Sequence, residues 1–135
     1  MVAIYTDLKD KVAVVTGIGQ AQPSRDPNLW GNGAATARLL AQNGVKVFGC
    51  DIKLEDAEWT KQRIREEIKD ATVDVMVADV TKLPDVKALV KAVMDKYSHI
   101  DILINNVGMS RPGGPAEMSE DVSQGPNGGI GRTGY

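Results

Sequence analysis

Short, unbroken apolar runs alternate along this chain with longer stretches in which apolar residues recur at helical spacing. Lys11 to Thr16 is a β-branched apolar run closed by Gly17, the pattern of a strand buried on both faces of a parallel sheet. Gly33 to Asn43 is Ala-rich with Leu39 and Leu40, and predicts a helix with Asn32 as N-cap and Gly44 as its stop. Val45 to Cys50 predicts a second strand. Leu54 to Lys69 predicts a second helix, with Ala57, Thr60 or Lys61, Ile64 and Ile68 at helical spacing on one face and the charges from Lys61 to Lys69 on a solvated one. Val73 to Ala78 predicts a third strand. Pro84 to Tyr97 predicts a third helix, with Pro84 in its first turn and an apolar stripe of Val86, Leu89, Val90, Val93 and Tyr97. Ile100 to Ile104 predicts a fourth strand.

Strands alternating with helices over short connections imply an α/β fold: a parallel sheet with helices on both faces. After Gly108 the pattern lapses. Ser119-Glu120-Asp121 has the form of a capped helix start, but Gly125, Pro126, Gly128, Gly129, Gly131 and Gly134 follow. The expected division is a partial nucleotide-binding domain over 1–122 and a disordered tail over 123–135.

Composition narrows the function more than the fold. The 135 residues are 42% hydrophobic with a formal charge of -2, which gives no footprint for nucleic acid or for an anionic membrane. No apolar run approaches the ~20 residues of a membrane span. The polar start, Met1 to Asp10, lacks the apolar stretch of a signal peptide. A single cysteine, Cys50, excludes an internal disulfide, and cytoplasm is the expected compartment.

Candidate chemistry gathers at strand ends. Gly17, Ile18, Gly31, Asn32 and Gly33 lie between a predicted strand and helix, where glycines let the backbone approach a pyrophosphate seated on the helix N-terminus. Gln20 to Trp30 stands inside that loop like an insertion. Asp51, at the end of the second strand, is placed to accept hydrogen bonds from the adenosine ribose hydroxyls. A carboxylate there repels a 2′-phosphate and so favours NAD over NADP, with Lys53 and Arg25 close enough in sequence to soften the preference. Asp79 and Val80, past the third strand, lie where an adenine would be contacted; taken alone, Asp79 is a turn residue.

The chain resembles a known family at this point. Thr16-Gly17…Gly31-Asn32-Gly33, Asp51, Asp79-Val80 and Asn105-Asn106-Val107-Gly108 look like the ordered signatures of the short-chain dehydrogenases/reductases, over roughly Leu8 to Val122. The resemblance implies a Rossmann-like sheet of order 3-2-1-4, with Asn106 and Gly108 against the cofactor and Asn105 tying the fourth strand to its neighbours. It implies oxidoreductase chemistry, hydride transfer between NAD(P)(H) and an alcohol or carbonyl. Val107 replaces the usual Ala, and the loop insertion departs from the family pattern. The family's Ser, Tyr and Lys lie after a fifth strand, on a segment this chain does not contain. No catalytic residue is therefore carried over, and the expectation is a truncated form that is inactive alone.

Other residues have plainer readings. Tyr5-Thr6-Asp7-Leu8-Lys9 has the family's Tyr-x-x-x-Lys spacing but precedes the first strand, at the wrong end of the sheet. Ser110 has no base partner, His99 is a solvated residue after the third helix, and Cys50 is a small buried hydrophobe. Trp30 and Trp59 suggest packing, with Trp30 able to cover part of a nucleotide. No His, Cys or carboxylate cluster has metal-ligand spacing. The fourth strand, with Ile102 and Ile104, is expected to be an exposed edge through which another chain could associate. The competing function, from a different class, is a non-catalytic NAD-binding or partner-binding module.

Overall fold

The β-branched run from Val12 to Thr16 forms strand β1, buried at every position as its composition demands. In the computed structural model, which describes residues 3–21 and 26–107, β1 is followed by α1 (Asn32–Gln42), β2 (Lys46–Asp51), α2 (Leu54–Glu67), β3 (Val73–Val77), α3 (Leu83–Tyr97) and β4 (Ile102–Asn105). Gly108, Ser110, Arg25, the helix start at Ser119 and the Gly-rich tail lie outside the described residues.

The strands form one parallel four-stranded sheet in the order β3-β2-β1-β4. The order reverses at β1, so the chain ends of β1 and β4 flank a crevice at the carboxyl edge. Alternation along β1 sorts the core into two halves. Ala13 and Val15 join Val47 and Val73 beneath Ala37 and Ala41 of α1 and Ala57 and Ile64 of α2. Val12 and Val14 face the other way, with Phe48 and Cys50, toward Leu89 and Val93 of α3. Right-handed crossovers require this split, two helices on one face and one on the other.

Several local expectations need correction. The N-cap of α1 is Gly31, and Asn32 is the first helical residue, with no side-chain cap. A backbone that must be approached from outside favours glycine at that cap over a capping side chain. Gly44 does stop the helix, at φ +78°, the left-handed conformation glycine tolerates. On α3, Leu89 and Val93 are buried while Val90 of the same stripe is exposed; among the described residues α3 is the one helix on its face of the sheet. On β4, Ile102 and Ile104 pack half-buried against the α1 face; the exposed apolar side chain is Leu103, 66% accessible on the α3 side. Among the described residues no strand pairs with the far edge of β4.

The end of α3 is tied back to the sheet by a polar group. Tyr97 Oη donates to Asp74 Oδ2 at 2.9 Å, and Lys96 Nζ donates to the same oxygen at 2.6 Å. Burial pushes the Tyr97 phenol up to about 12, and the Asp74 carboxylate adds to the shift. Its folded pKa thus exceeds its ordinary value of 10.0, so its stabilisation is complete below pH 10 and is lost as pH rises through 12. Thermal melts across that window are expected to show a falling Tm that Tyr97→Phe flattens. Parallel slopes for the two proteins would remove Tyr97 as the cause.

Candidate functional site

The crevice at the carboxyl edge is built from backbone that side chains would obstruct. Gly17, at the end of β1, has φ +66°, and a Cβ there would lie 3.1 Å from the Asn106 carbonyl oxygen. Gly33 is tighter still. A Cβ would lie 2.1 Å from the Gly17 carbonyl oxygen and 2.7 Å from Asn106 Nδ2, so this glycine is what lets α1 pack against the end of β1. Gly31 differs from both. Among the described residues its Cβ would meet only Gln20 Oε1, at 3.9 Å, so these residues leave that space open. The Ala35 N–H makes the first turn of the ladder to the Gly31 carbonyl at 2.7 Å, which leaves the amides of Asn32, Gly33 and Ala34 unclaimed by the helix itself. Open space before a helix N-terminus favours an anion.

Thr16 holds β4 in register with this loop. Its hydroxyl lies 3.1 Å from Asn105 Oδ1 and accepts the Asn106 N–H at 3.0 Å, while Asn106 Nδ2 donates to the Gly17 carbonyl at 3.3 Å. The Asn105-Asn106 pair thereby fixes the crevice wall to the loop, rather than merely lying beside it.

Asp51 closes the other side. Its Oδ2 accepts the Gly19 N–H at 2.9 Å and its Oδ1 accepts the Ile52 N–H at 2.8 Å. The carboxylate is held at the end of β2 with lone pairs remaining on each oxygen. Ile18 lies inward: its side chain is fully buried and its N–H donates to the Cys50 carbonyl at 3.1 Å. It fills the space above Gly49, where a Cβ would come within 2.4 Å of Ile18 Cδ1. Asp79 forms a turn, its Oδ1 accepting the Thr81 N–H at 3.0 Å and the Thr81 hydroxyl, which hold its carboxyl below the ordinary aspartate value. Asp85 Oδ2 accepts the Asp79 N–H at 2.8 Å, and Val80 is half-buried against the α3 face.

Three contributors escaped the sequence reading. Gly19 packs against the first turn of α2, where a Cβ would lie 2.8 Å from Asp56; its signal was the Thr-Gly-Ile-Gly spacing itself. Gln20 is buried, and its Oε1 accepts the Gly31 N–H at 3.1 Å across the base of the inserted loop. Arg63, assigned to the solvated charge face, instead stacks on Trp30 and Trp59, 3.8 and 4.5 Å from their ring centroids. Gln20 had no local signal because it acts on Gly31 across the loop; for Arg63 the one local signal was its i,i+4 spacing from Trp59, and its other partners lie far away in sequence.

The readings of Tyr5, Lys9 and Cys50 hold. Tyr5 and Lys9 are exposed at the opposite edge, where the Tyr5 N–H donates to Asn43 Oδ1 and Lys9 lies over Gly44. Cys50 is fully buried, and burial pushes its thiol up to about 11, partly opposed by the Gly17 amide. Native protein at pH 8 is expected to react with a thiol-specific disulfide reagent only as fast as it unfolds, and at once in denaturant. Prompt native labelling would contradict that burial. Among the described residues, no group of His, Cys, Asp and Glu could hold a metal ion, and no helix is long and apolar enough to cross a membrane.

The family model described as short chain dehydrogenase matches residues 11–124, most of the chain. The chain belongs to the short-chain dehydrogenase family. Its sheet order 3-2-1-4 and nucleotide-type crevice are those of a Rossmann-like member, and the family binds NAD(P) cofactors. Levodione reductase of Leifsonia aquatica is 34% identical over 112 residues, which cover 83% of this chain and 38% of that protein. The crystal structure of a Burkholderia xenovorans protein assigned to the short-chain dehydrogenases/reductases is 35% identical, with a TM-score of 0.74 over 86% of this chain and 43% of that one. An actinorhodin polyketide ketoreductase, solved with NADPH, is 31% identical, with a TM-score of 0.66 over 87% of this chain and 40% of that one. The chain thus spans about two-fifths of the length of the curated relatives it matches.

Proposed function

We propose that this chain supplies the cofactor-binding half of an oxidoreductase that moves a hydride between NAD(H) and an alcohol or carbonyl substrate. The observation that carries the reading is the space that the described residues leave open at Gly31, before the α1 N-terminus, together with a carboxylate held at the end of β2. In this reading the amides of Asn32, Gly33 and Ala34 receive the diphosphate, and the Gly17 turn and Ile18 shape the floor beneath it. Asp51 accepts from the adenosine ribose hydroxyls, Asp79 and Val80 border the adenine, and Asn106 lines the nicotinamide side. When bound, the cofactor supplies the hydride acceptor or donor; this chain's residues bind and orient it.

The charge on Asp51 supports NAD over NADP, since a 2′-phosphate would meet a carboxylate whose position two backbone amides fix. A free thiol in the core and a nicotinamide cofactor both suit the cytoplasm, the compartment we assign. A second reading, a partner-binding module, draws on exposed Leu103 at the β4 edge.

Calorimetric titration with NAD, NADP and ATP tests the first reading. NAD is expected to bind more tightly than NADP, with ATP weaker than either. An absence of dinucleotide binding at millimolar concentration, together with self-association that Leu103→Lys abolishes, would replace the first reading by the second.

A further inference from the structure

The loop that enters α1 is fastened from outside by a guanidinium on α2. Arg63, on α2, donates from Nη1 to the Leu29 carbonyl and from Nη2 to the Pro27 carbonyl, each at 3.0 Å. Its plane is shared by two indoles, with Cζ 3.8 Å from the Trp30 centroid and 4.5 Å from that of Trp59. Arg38, on α1, approaches Trp30 as well, at 4.7 Å, and pairs through Nε and Nη2 with both carboxylate oxygens of Glu67. Trp30 is the residue immediately before Gly31, and it packs against the core beneath α1 and α2.

We propose that Arg63 is a positioning residue for the diphosphate of the bound dinucleotide, acting through Trp30 on the Gly31–Gly33 turn. The proposal rests on the dinucleotide reading above and assigns a role to a residue outside the glycine loop. Gly31 leaves space for an anion only while its own backbone is held, and two anchors hold it. Gln20 Oε1 takes the Gly31 N–H from one side. Arg63 fixes the preceding residues from the other, by two carbonyls and one ring.

A long loop that enters a binding turn costs conformational entropy when the ligand orders it. An anchor one residue before the turn removes that cost in advance. The anchored atoms support this role over simple loop storage, because they belong to Pro27, Leu29 and Trp30, at the end of the loop that adjoins the turn. Arginine suits the task because its planar fork donates to two carbonyls while its face stacks on a ring. Lysine offers a point charge without the plane.

The test compares the full chain with Arg63→Ala, Arg63→Lys and, as a control on the same helix, Arg65→Ala, whose side chain is exposed. Calorimetry with ADP-ribose and NMR titration with adenosine give two dissociation constants for each protein. The adenosine constant divided by the ADP-ribose constant reports what the diphosphate side contributes, and it is insensitive to the folded fraction because both ligands draw on the same native population. Arg63→Ala is expected to lower that ratio on the order of tenfold. Arg63→Lys, which keeps the stem and the charge, should lower it severalfold, and Arg65→Ala should leave it unchanged. An unchanged ratio in both Arg63 variants overturns the positioning role and leaves the dinucleotide reading intact. Failure of the parent chain to bind ADP-ribose overturns the dinucleotide reading, and the positioning role falls with it.

Discussion

Gly33→Ala is expected to unfold much of the molecule's margin of stability, whereas Gly31→Ala, two residues earlier, is expected to leave stability intact and remove cofactor binding. At Gly33 the added methyl would lie 2.1 Å from the Gly17 carbonyl oxygen and 2.7 Å from Asn106 Nδ2. The first neighbour is backbone, so relief requires α1 to move away from β1. That movement would break the Asn106 to Gly17 hydrogen bond and loosen the core around Ala37. Overpacking of this kind costs about 3 kcal/mol, or a Tm loss on the order of 10 °C or more in a domain of this size. At Gly31 the backbone is at φ -62° and ψ 162°, which alanine adopts without strain, and the nearest atom of the described residues to its methyl is 3.9 Å away. On the dinucleotide reading, the methyl would fill the space that the diphosphate takes. Melting curves and NAD titrations on both variants check the contrast. A Gly31→Ala protein that binds NAD as well as the parent would show that the ligand does not approach there.

Asp51→Asn is expected to raise the Kd for NAD about tenfold and to erase most of the preference over NADP. Both oxygens of Asp51 accept backbone amides, from Gly19 at 2.9 Å and Ile52 at 2.8 Å. An asparagine has one acceptor oxygen and an amino group that can only donate. Whichever way it is turned, one of those N–H groups faces another donor. Hydrogen bonds to charged groups are worth about 1.5–3 kcal/mol, so loss of a charged ribose contact corresponds to roughly tenfold or more in affinity. The 2′-phosphate of NADP gains where NAD loses, because the fixed negative charge is gone. Paired NAD and NADP titrations of parent and variant measure the change. NADP affinity unmoved by the substitution would mean that Asp51 does not face the ribose.

Much of the architecture was legible in local pattern. A run such as Val12 to Val15 has no polar position to turn toward water, so it can only be a strand covered on both faces, and that requires helices on each side of the sheet. Ala37, Ala41, Ala57 and Ile64 recur at helical spacing and occupy the core as that spacing demands. The close approaches at Gly17 and Gly33 were legible for a related reason: a backbone that must come close to something admits few residue types. Asn32 as a cap was misread by the same local logic, because the composition favoured a capping side chain where the open cap is glycine.

What lay beyond reach depended on distance in the chain. The charges of α2 have the pattern of a solvated face, and nothing adjacent to Arg63 distinguishes it from Lys61 or Arg65. Trp59 lies one helical turn before it, but Pro27, Leu29 and Trp30 stand more than thirty residues away, as the 34-residue separation from Leu29 shows, so only the folded chain brings those together. The same holds for Gln20, which reaches across the loop to Gly31, and for Leu103, exposed where the alternation of β4 turned Ile102 and Ile104 inward. The sequence by itself determined the strands, the helices, the parallel order of their use and the glycine-bounded crevice, because periodicity and backbone freedom are local properties. Tertiary structure alone decided how that crevice is braced and which charges serve it, because a guanidinium acquires its role from the rings and carbonyls that packing sets around it.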